Sequence, residues 1–269
     1  MKFARFISLL ALLVFSVPAL AQEQKHDNAE LSKKLANPVA SLITIPIEYN
    51  KDADQGPNED GEVWTVKFTP VVPIKVNDNW NLITRTIFSY VDQDLPHVGL
   101  DETGISDVAL SLYFSPSEIG DSGIIWGVGP LLLFNSATED SLGAGRWGAG
   151  PAAVALKQFG PWTVGGLTSY TLDMGGDSDR ADIESLFFQP FLSYTMPNGK
   201  TSLTLQSEIT RDLENYNTRG FALFQVNQMF TVGKQIMQGR IGVKHWYESE
   251  DFGPDSTELN LRLTFLFPK

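Results

Sequence analysis

From Ala40 to Phe267 apolar and polar residues alternate one for one over stretches of about ten residues. Leu259, Leu261, Leu263, Phe265 and Phe267 share one parity, and Glu258, Asn260, Arg262 and Thr264 share the other. Leu203, Leu205 and Ile209 alternate in the same way with Ser202, Thr204, Gln206, Glu208 and Thr210. Trp64, Val66, Phe68, Val72 and Ile74 alternate with Thr65, Lys67, Thr69 and Lys75. A period of two is that of a strand with two unlike faces. The pattern predicts strands near 40–50, 62–76, 79–91, 105–116, 123–135, 146–157, 162–173, 183–196, 200–211, 220–233, 236–248 and 256–267. Alternation alone fits a soluble sheet with its apolar face inside, or a barrel with its apolar face toward hydrocarbon.

The connections separate these two. One set is short: Asn77-Asp78-Asn79, Pro116 to Gly123, Gln158 to Pro161, Pro197-Asn198-Gly199 and Gly233-Lys234-Gln235. The other is longer and polar: Lys51 to Glu62, Asp92 to Gly104, Ser136 to Gly145, Met174 to Asp182, Asp212 to Arg219 and Ser249 to Asp255. The two kinds alternate along the chain, as the two rims of an outer-membrane barrel do. The expected fold is therefore all-β, a transmembrane antiparallel up-and-down β-barrel of about 12 strands. Trp64, Trp80, Trp126, Trp147, Trp162 and Trp246, with Tyr49, Tyr90, Tyr194 and Tyr247, fall near strand ends, where aromatic girdles belong.

The first residues have a different purpose. Lys2 and Arg5 precede an apolar run from Phe6 to Val17, and Ala19-Leu20-Ala21 supplies a small-residue cleavage site. This predicts a signal peptide over 1–21, removed on export. Residues 22–38 form an N-terminal segment, with a short helix from Glu30 to Leu35 that Asn28 caps and Asn37-Pro38 ends. Such a helix plugs the pore, covers its inner mouth or frays. The barrel domain occupies 39–269.

Composition narrows the chemistry. There is no Cys, so thiolate metal sites, disulfides and Cys nucleophiles are excluded. A net charge of −12 argues against nucleic acid as a partner. Most acidic residues lie at or beside the long connections, among them Asp52, Asp54, Glu59 and Asp60, and Asp173, Asp177, Asp179 and Asp182. They form a solvated face, or a negative vestibule that attracts cations, or a surface bridged by divalent ions to lipid headgroups. No ligand spacing defines a metal site, and no cofactor motif is present.

Two segments repeat, Trp126-Gly127-Val128-Gly129-Pro130 and Trp147-Gly148-Ala149-Gly150-Pro151. Gly127, Gly129, Gly148 and Gly150 strip side chains from alternate positions of neighbouring strands, which permits a bend or a close approach from the lumen. Pro130 and Pro151, with Pro46, Pro70, Pro73 and Pro190, predict bulges. With Asn37 to Leu42, Trp80 to Thr86, Leu156 to Trp162, Gln189 to Tyr194 and Leu263 to Lys269, these segments resemble the bacterial outer-membrane proteins grouped as "MetA-pathway of phenol degradation" transporters. The resemblance spans nearly the whole chain after the signal. It implies an outer-membrane barrel and a passive channel, and no substrate is carried over. Outer-membrane barrels usually end on an aromatic residue, whereas Pro268 and Lys269 follow Phe267 here. The assembly machinery that reads the last strand must then tolerate a short tail.

Parity places Glu48, Lys67, Lys75, Arg85, Glu208, Arg240, Lys244, Glu258 and Arg262 on the lumen side. They make either a salt-bridged interior or a constriction whose field selects permeants. A hydrolase would need a base beside a nucleophile. His26 lies in the N-terminal tail, His97 in a long loop near Asp94 and Asp101, and His245 on the lipid side. No His-x-Ser follows His245, since Tyr247 stands there. The expected protein is not an enzyme. It is an outer-membrane channel passing small solutes passively, small hydrophobic or aromatic compounds among them, with outer-membrane lipids and the barrel-assembly machinery as partners. The alternatives are a structural or adhesive barrel with a closed pore, and an outer-membrane lipid hydrolase.

Overall fold

A computed structural model describes residues 28–268 of the chain. The expected signal peptide, His26 and the terminal Lys269 lie outside the described residues. Helix α1 (Asn28–Leu35) leads into a single sheet built from β1 (Ile43–Gln55), β2 (Gly61–Phe68), β3 (Val71–Lys75), β4 (Trp80–Leu95), β5 (Leu100–Ile105), β6 (Val108–Pro116) and β7 (Ile124–Phe134). It continues through β8 (Arg146–Phe159), β9 (Trp162–Gly176), β10 (Glu184–Thr195), β11 (Thr201–Asp212), β12 (Thr218–Val232), β13 (Gln235–Glu248) and β14 (Thr257–Phe267). Each strand pairs antiparallel with its neighbour, and β14 pairs with β1 from Ile43↔Phe267 to Tyr49↔Leu261. That last ladder closes the cylinder and leaves no sheet edge.

β2 and β3 hold one register against β4 and form a single barrel strand interrupted at Thr69-Pro70. β5 and β6 likewise form one strand, with a bulge at Ser106-Asp107 between Tyr90↔Ile105 and Ile87↔Ala109. The barrel therefore has 12 strands. Several run further toward the long-loop rim than alternation suggested: β1 reaches Gln55, β4 reaches Leu95 and β9 reaches Gly176. Backbone ladders continue past the apolar band because polar side chains there do not interrupt pairing. At the other end β1 starts at Ile43, later than expected, because Ala40 and Leu42 are buried against α1 and do not join the sheet.

The two faces differ as parity requires. Ile241, Val243, Leu259, Leu261, Phe224 and Val226 are exposed on the outer wall. No helix among the described residues is long and apolar enough to cross a membrane. Aromatic pairs mark both rims of this wall. Trp80 meets Trp126 edge-on at 5.9 Å and Trp162 meets Tyr194 at 4.7 Å near the short turns. Tyr49 meets Trp64 at 5.3 Å and Phe134 meets Trp147 at 5.8 Å toward the long loops. Trp246 departs from the expected girdle. It lies opposite Phe221 on the lumen parity, ring to ring at 5.1 Å, and its indole Nε1 donates to Asp52 Oδ1 at 3.0 Å. The neighbouring Tyr247 takes the outward position.

The prolines open the ladders without the expected bulges. Pro130 faces Leu112 and Pro151 faces Tyr170, and the registers on either side are unchanged. A proline has no N–H, so the facing carbonyl loses its donor. The Leu112 carbonyl oxygen stands 1.8 Å from where a Cβ on Gly129 would sit, and the Tyr170 oxygen 1.8 Å from one on Gly150. Each glycine thus makes room for the carbonyl that its following proline leaves unpaired, which explains the repeated Gly-Pro. Gly127 serves the other expected purpose: Val39 of the N-terminal segment would lie 3.2 Å from its Cβ. The register shifts that do occur within a strand pair, at Asp52/Gln55, Arg146/Gly148 and Gly220/Phe221, lie at the long-loop rim.

Gly129→Ala and Gly150→Ala should each destabilise the barrel by about 1–3 kcal/mol, read as a lower denaturant midpoint for loss of the heat-modifiable folded band. Gly120→Ala, with nothing within 4 Å of its would-be Cβ, should match the wild type.

Candidate functional site in the lumen

The lumen has two unlike walls. Ile83, Tyr113, Ala152, Val154, Leu156 and Leu167 line the β4–β10 side as a buried apolar cluster, with Leu131 and Phe191 against it. The sequence signal for this wall was present in the Ile124 to Phe134 stretch, which is apolar at both parities and so cannot be apolar toward lipid alone.

The opposite wall is charged. Register sets Lys67, Glu48, Arg262 and Arg240 in one transverse row across β2, β1, β14 and β13. Arg240 and Arg262 face each other directly, a repulsive arrangement unless an anion joins them. Glu48 is that anion. Its Oε2 accepts from Arg240 Nη2 at 2.6 Å, from Arg262 Nε at 2.7 Å and from Arg262 Nη2. Its Oε1 accepts from Asn260 Nδ2 at 3.0 Å and from Asn50 Nδ2 at 3.2 Å. Arg240 also donates through Nη1 to Gln225 Oε1 at 2.8 Å, and its side chain is only 2% exposed. Charges so buried persist because each is paired and hydrogen-bonded.

A second charged level lies closer to the long loops. Lys244 faces Glu258 across β13 and β14, and the Ala53 N–H next to Asp52 reaches Glu258. Lys244 Nζ pairs with Asp52 and lies over the rings of Phe221 at 5.4 Å and Trp246 at 5.1 Å. Glu258 Oε1 accepts from Ser256 Oγ at 2.6 Å and from the Ala53 N–H. Asp52, expected in the first long loop, is thus a luminal residue of β1. On β11, Glu208 Oε1 accepts from the amides of Gln189 and Gln206, both at 3.1 Å. Arg85, on β4 beside Ser111, also faces the lumen. Lys75 does not belong with this set. It sits at the short-turn rim, two-thirds exposed, and pairs with Asp78 at 2.7 Å.

The acidic long loops are partly neutralised. Arg146 Nε donates to Asp173 Oδ2 at 2.7 Å, and the same guanidinium pairs with Asp182, which ties the third loop to the fourth. No group of three or more His, Asp and Glu that could hold a metal ion occurs among the described residues.

The N-terminal segment enters the lumen at the short-turn mouth. Leu31, Ala40 and Leu42 bury themselves against Met229 and Leu266. Ser32 Oγ donates to the Gly199 carbonyl at 2.9 Å, and Gln158 Nε2 donates to the Lys33 carbonyl at 2.8 Å. Val39 then packs on Ile83, Tyr113 and Val154 of the apolar wall. Above this segment, a cavity of about 200 Å³ separates the two walls. His97 and His245 stand far from it in role: the His97 ring lies 6.3 Å from Phe252 in the loops, and His245 Nδ1 is 2.9 Å from Thr257 Oγ1 on the outer face.

Parity located Glu48, Lys67, Arg85, Glu208, Arg240, Lys244, Glu258 and Arg262. Asn260 shares the luminal parity of Glu258 and Arg262, whereas the sequence pattern puts Asp52 in a loop and Trp246 in the girdle and does not single out Gln225.

No family model matches the chain, and no curated protein is similar to it. Among solved structures, the COG4313 outer membrane channel from Pseudomonas putida F1 is 18% identical, with a TM-score of 0.64 over 84% of this chain and 96% of that one. The NanC porin is 12% identical, with a TM-score of 0.50 over 84% of this chain and 100% of that one. At these identities the likeness is one of fold.

Glu48→Gln leaves two facing guanidinium groups without their shared anion and should cost about 3–5 kcal/mol. Glu48→Gln combined with Arg240→Gln should cost at least about 1 kcal/mol less than the sum of the single changes. Equilibrium unfolding in detergent checks both; additive single effects would remove Glu48 from its bridging role.

Proposed function

We propose that this chain is an outer-membrane channel for passive movement of small solutes, restricted at its short-turn mouth by the N-terminal segment. The observation that carries the reading is the pairing of an apolar outer wall with a charged and polar lumen. A lumen built only for stability would gain more from apolar packing than from buried ion pairs. Hydrocarbon of the outer membrane covers the apolar wall, and the assembly machinery inserts the barrel after export.

Two likenesses support this. The fold is similar to that of an outer membrane channel from Pseudomonas putida F1 and to a porin. The repeated Trp-Gly-x-Gly-Pro segments resemble the phenol-degradation transporter group, to which we assign the chain as part of this proposal. A lipid hydrolase is disfavoured because neither His97 nor His245 has both a nucleophile and an orienting carboxylate among its hydrogen-bond partners.

The burial of Leu31 in the mouth favours a second reading, a structural barrel with a closed pore. Planar-bilayer recording separates them. The refolded full-length chain should conduct in small, brief steps. Leu31→Glu, which places a charge in the apolar seat of α1, should raise mean conductance several-fold. Silence of both proteins would favour the closed barrel, and turnover of a phospholipid or ester substrate abolished by His97→Ala would favour the hydrolase.

A further inference from the structure

We propose that the luminal cavity is a binding site for a small monocarboxylate with a compact apolar body, about one aromatic ring in size. The inference deepens the channel reading and rests on it for its biological setting, although the binding itself needs no conduction.

Charge comes first. The protein carries a net charge of −12, yet no acidic residue lines this cavity. Its lining includes Arg85, Arg240, Arg262 and Lys34. Lys34 is paired with Glu30 at 2.7 Å, and Glu48 bridges Arg240 and Arg262 from behind. Arg85 has no carboxylate within salt-bridge distance among the described residues, and the Arg262 side chain keeps 32% of its surface exposed. Glu48 thus serves two of the three arginines, and Glu208 lies behind Gln189 and Gln206, so two carboxylates stand behind three arginines and the lining retains an excess of positive charge. An anion relieves that excess.

Hydrogen bonding gives an independent pointer. Arg240 and Gln225 line the cavity, and the buried Arg240 Nε and Gln225 Nε2 donate to no acceptor among the described residues. Buried donors without acceptors are uncommon and call for a reason. Both belong to residues that line the cavity, whereas the two unpartnered buried acceptors of the charged wall, Glu258 Oε2 and Asn260 Oδ1, belong to residues outside its lining, so the cavity face has spare donors and no spare buried acceptor among the described residues. A carboxylate has the complementary inventory, two oxygens that only accept.

Shape and polarity restrict the rest of the ligand. The lining also holds Val71, Leu167 and Phe191 of the apolar wall, and Leu35 and Leu42 of the N-terminal segment. A hydrated inorganic anion would gain nothing from them, whereas an apolar body loses its water there. The volume of about 200 Å³ is modestly larger than the roughly 150 Å³ that holds a benzene ring in an apolar protein cavity. One ring and its carboxylate therefore fill the space. The ligand would lie with its charge toward Arg85 and Arg262 and its ring toward Phe191.

Calorimetric titration of the refolded full-length protein in detergent tests this, with benzoate, benzyl alcohol and acetate as probes. Benzoate should bind saturably at one site, at least about tenfold tighter than benzyl alcohol or acetate. Arg85→Gln, which breaks no ion pair, should keep the folded gel mobility and weaken benzoate by about tenfold or more while leaving benzyl alcohol unchanged. Gln225→Glu, which replaces the unused donor by a negative charge but keeps an acceptor for Arg240, should weaken benzoate further. Equal binding of benzyl alcohol, equal binding of acetate, or unchanged benzoate affinity in folded Arg85→Gln would each overturn the assignment. Bilayer conductance is recorded on the same preparations. Conductance without benzoate binding would remove the site and leave the channel, and benzoate binding without conductance would do the reverse.

Discussion

In hydrocarbon a backbone amide has no water to turn to, and every other feature of this molecule follows from that constraint. The chain meets it by running each strand against the next and returning β14 to β1, so that no edge remains. Where a proline breaks the exchange, the cost is met locally. The carbonyls of Leu112 and Tyr170, left without donors by Pro130 and Pro151, turn into the space beside Gly129 and Gly150. The Gly-Pro repeat is therefore a solution to a hydrogen-bonding problem on the two ladders that flank the β7–β8 pair. Its appearance in both halves of one hairpin needs no shared ligand to explain it.

Closure then dictates what the interior must do. Alternation sends every second side chain inward, and twelve strands bring them close together. This chain divides them by circumference. The β4–β10 arc contributes mainly apolar groups and accepts Val39 of the N-terminal segment, while the β11–β2 arc and Arg85 of β4 contribute charges. The charged arc is held by a few shared anions, Glu48 between two arginines and Asp52 between Lys244 and Trp246. The resulting lumen is amphipathic across its diameter. Its middle carries an excess of basic groups although the long loops above are acidic.

Much of this was legible in the sequence because a period of two is a strong signal. It gave the strand number, the two rims and the inward set from Glu48 to Arg262. Parity, however, assigns a side and not a height or a neighbour. That Arg240 and Arg262 share Glu48 follows only from cross-strand register, whereas Trp246, two residues beyond Lys244, has the luminal parity and Tyr247 the outward one. Asp52 was hidden for a related reason: a polar run at a strand end resembles a loop until the ladder is known to continue through it. The seat of α1 was also beyond reach. Eight residues of helix carry no local mark of their partner, and Leu31, Leu42 and Met229 meet only because the barrel closes around them.

The claim beneath all of this is that β1 and β14 are joined and not two open edges. Amide hydrogen exchange in lipid bilayers addresses it directly. Backbone amides of Ile45, Ile47 to Tyr49 and Leu261 to Phe265 should exchange as slowly as those of the central pair β9 and β10. Fast exchange confined to β1 and β14, with β9 and β10 protected, would mean that the cylinder is open and that the lumen described above does not exist.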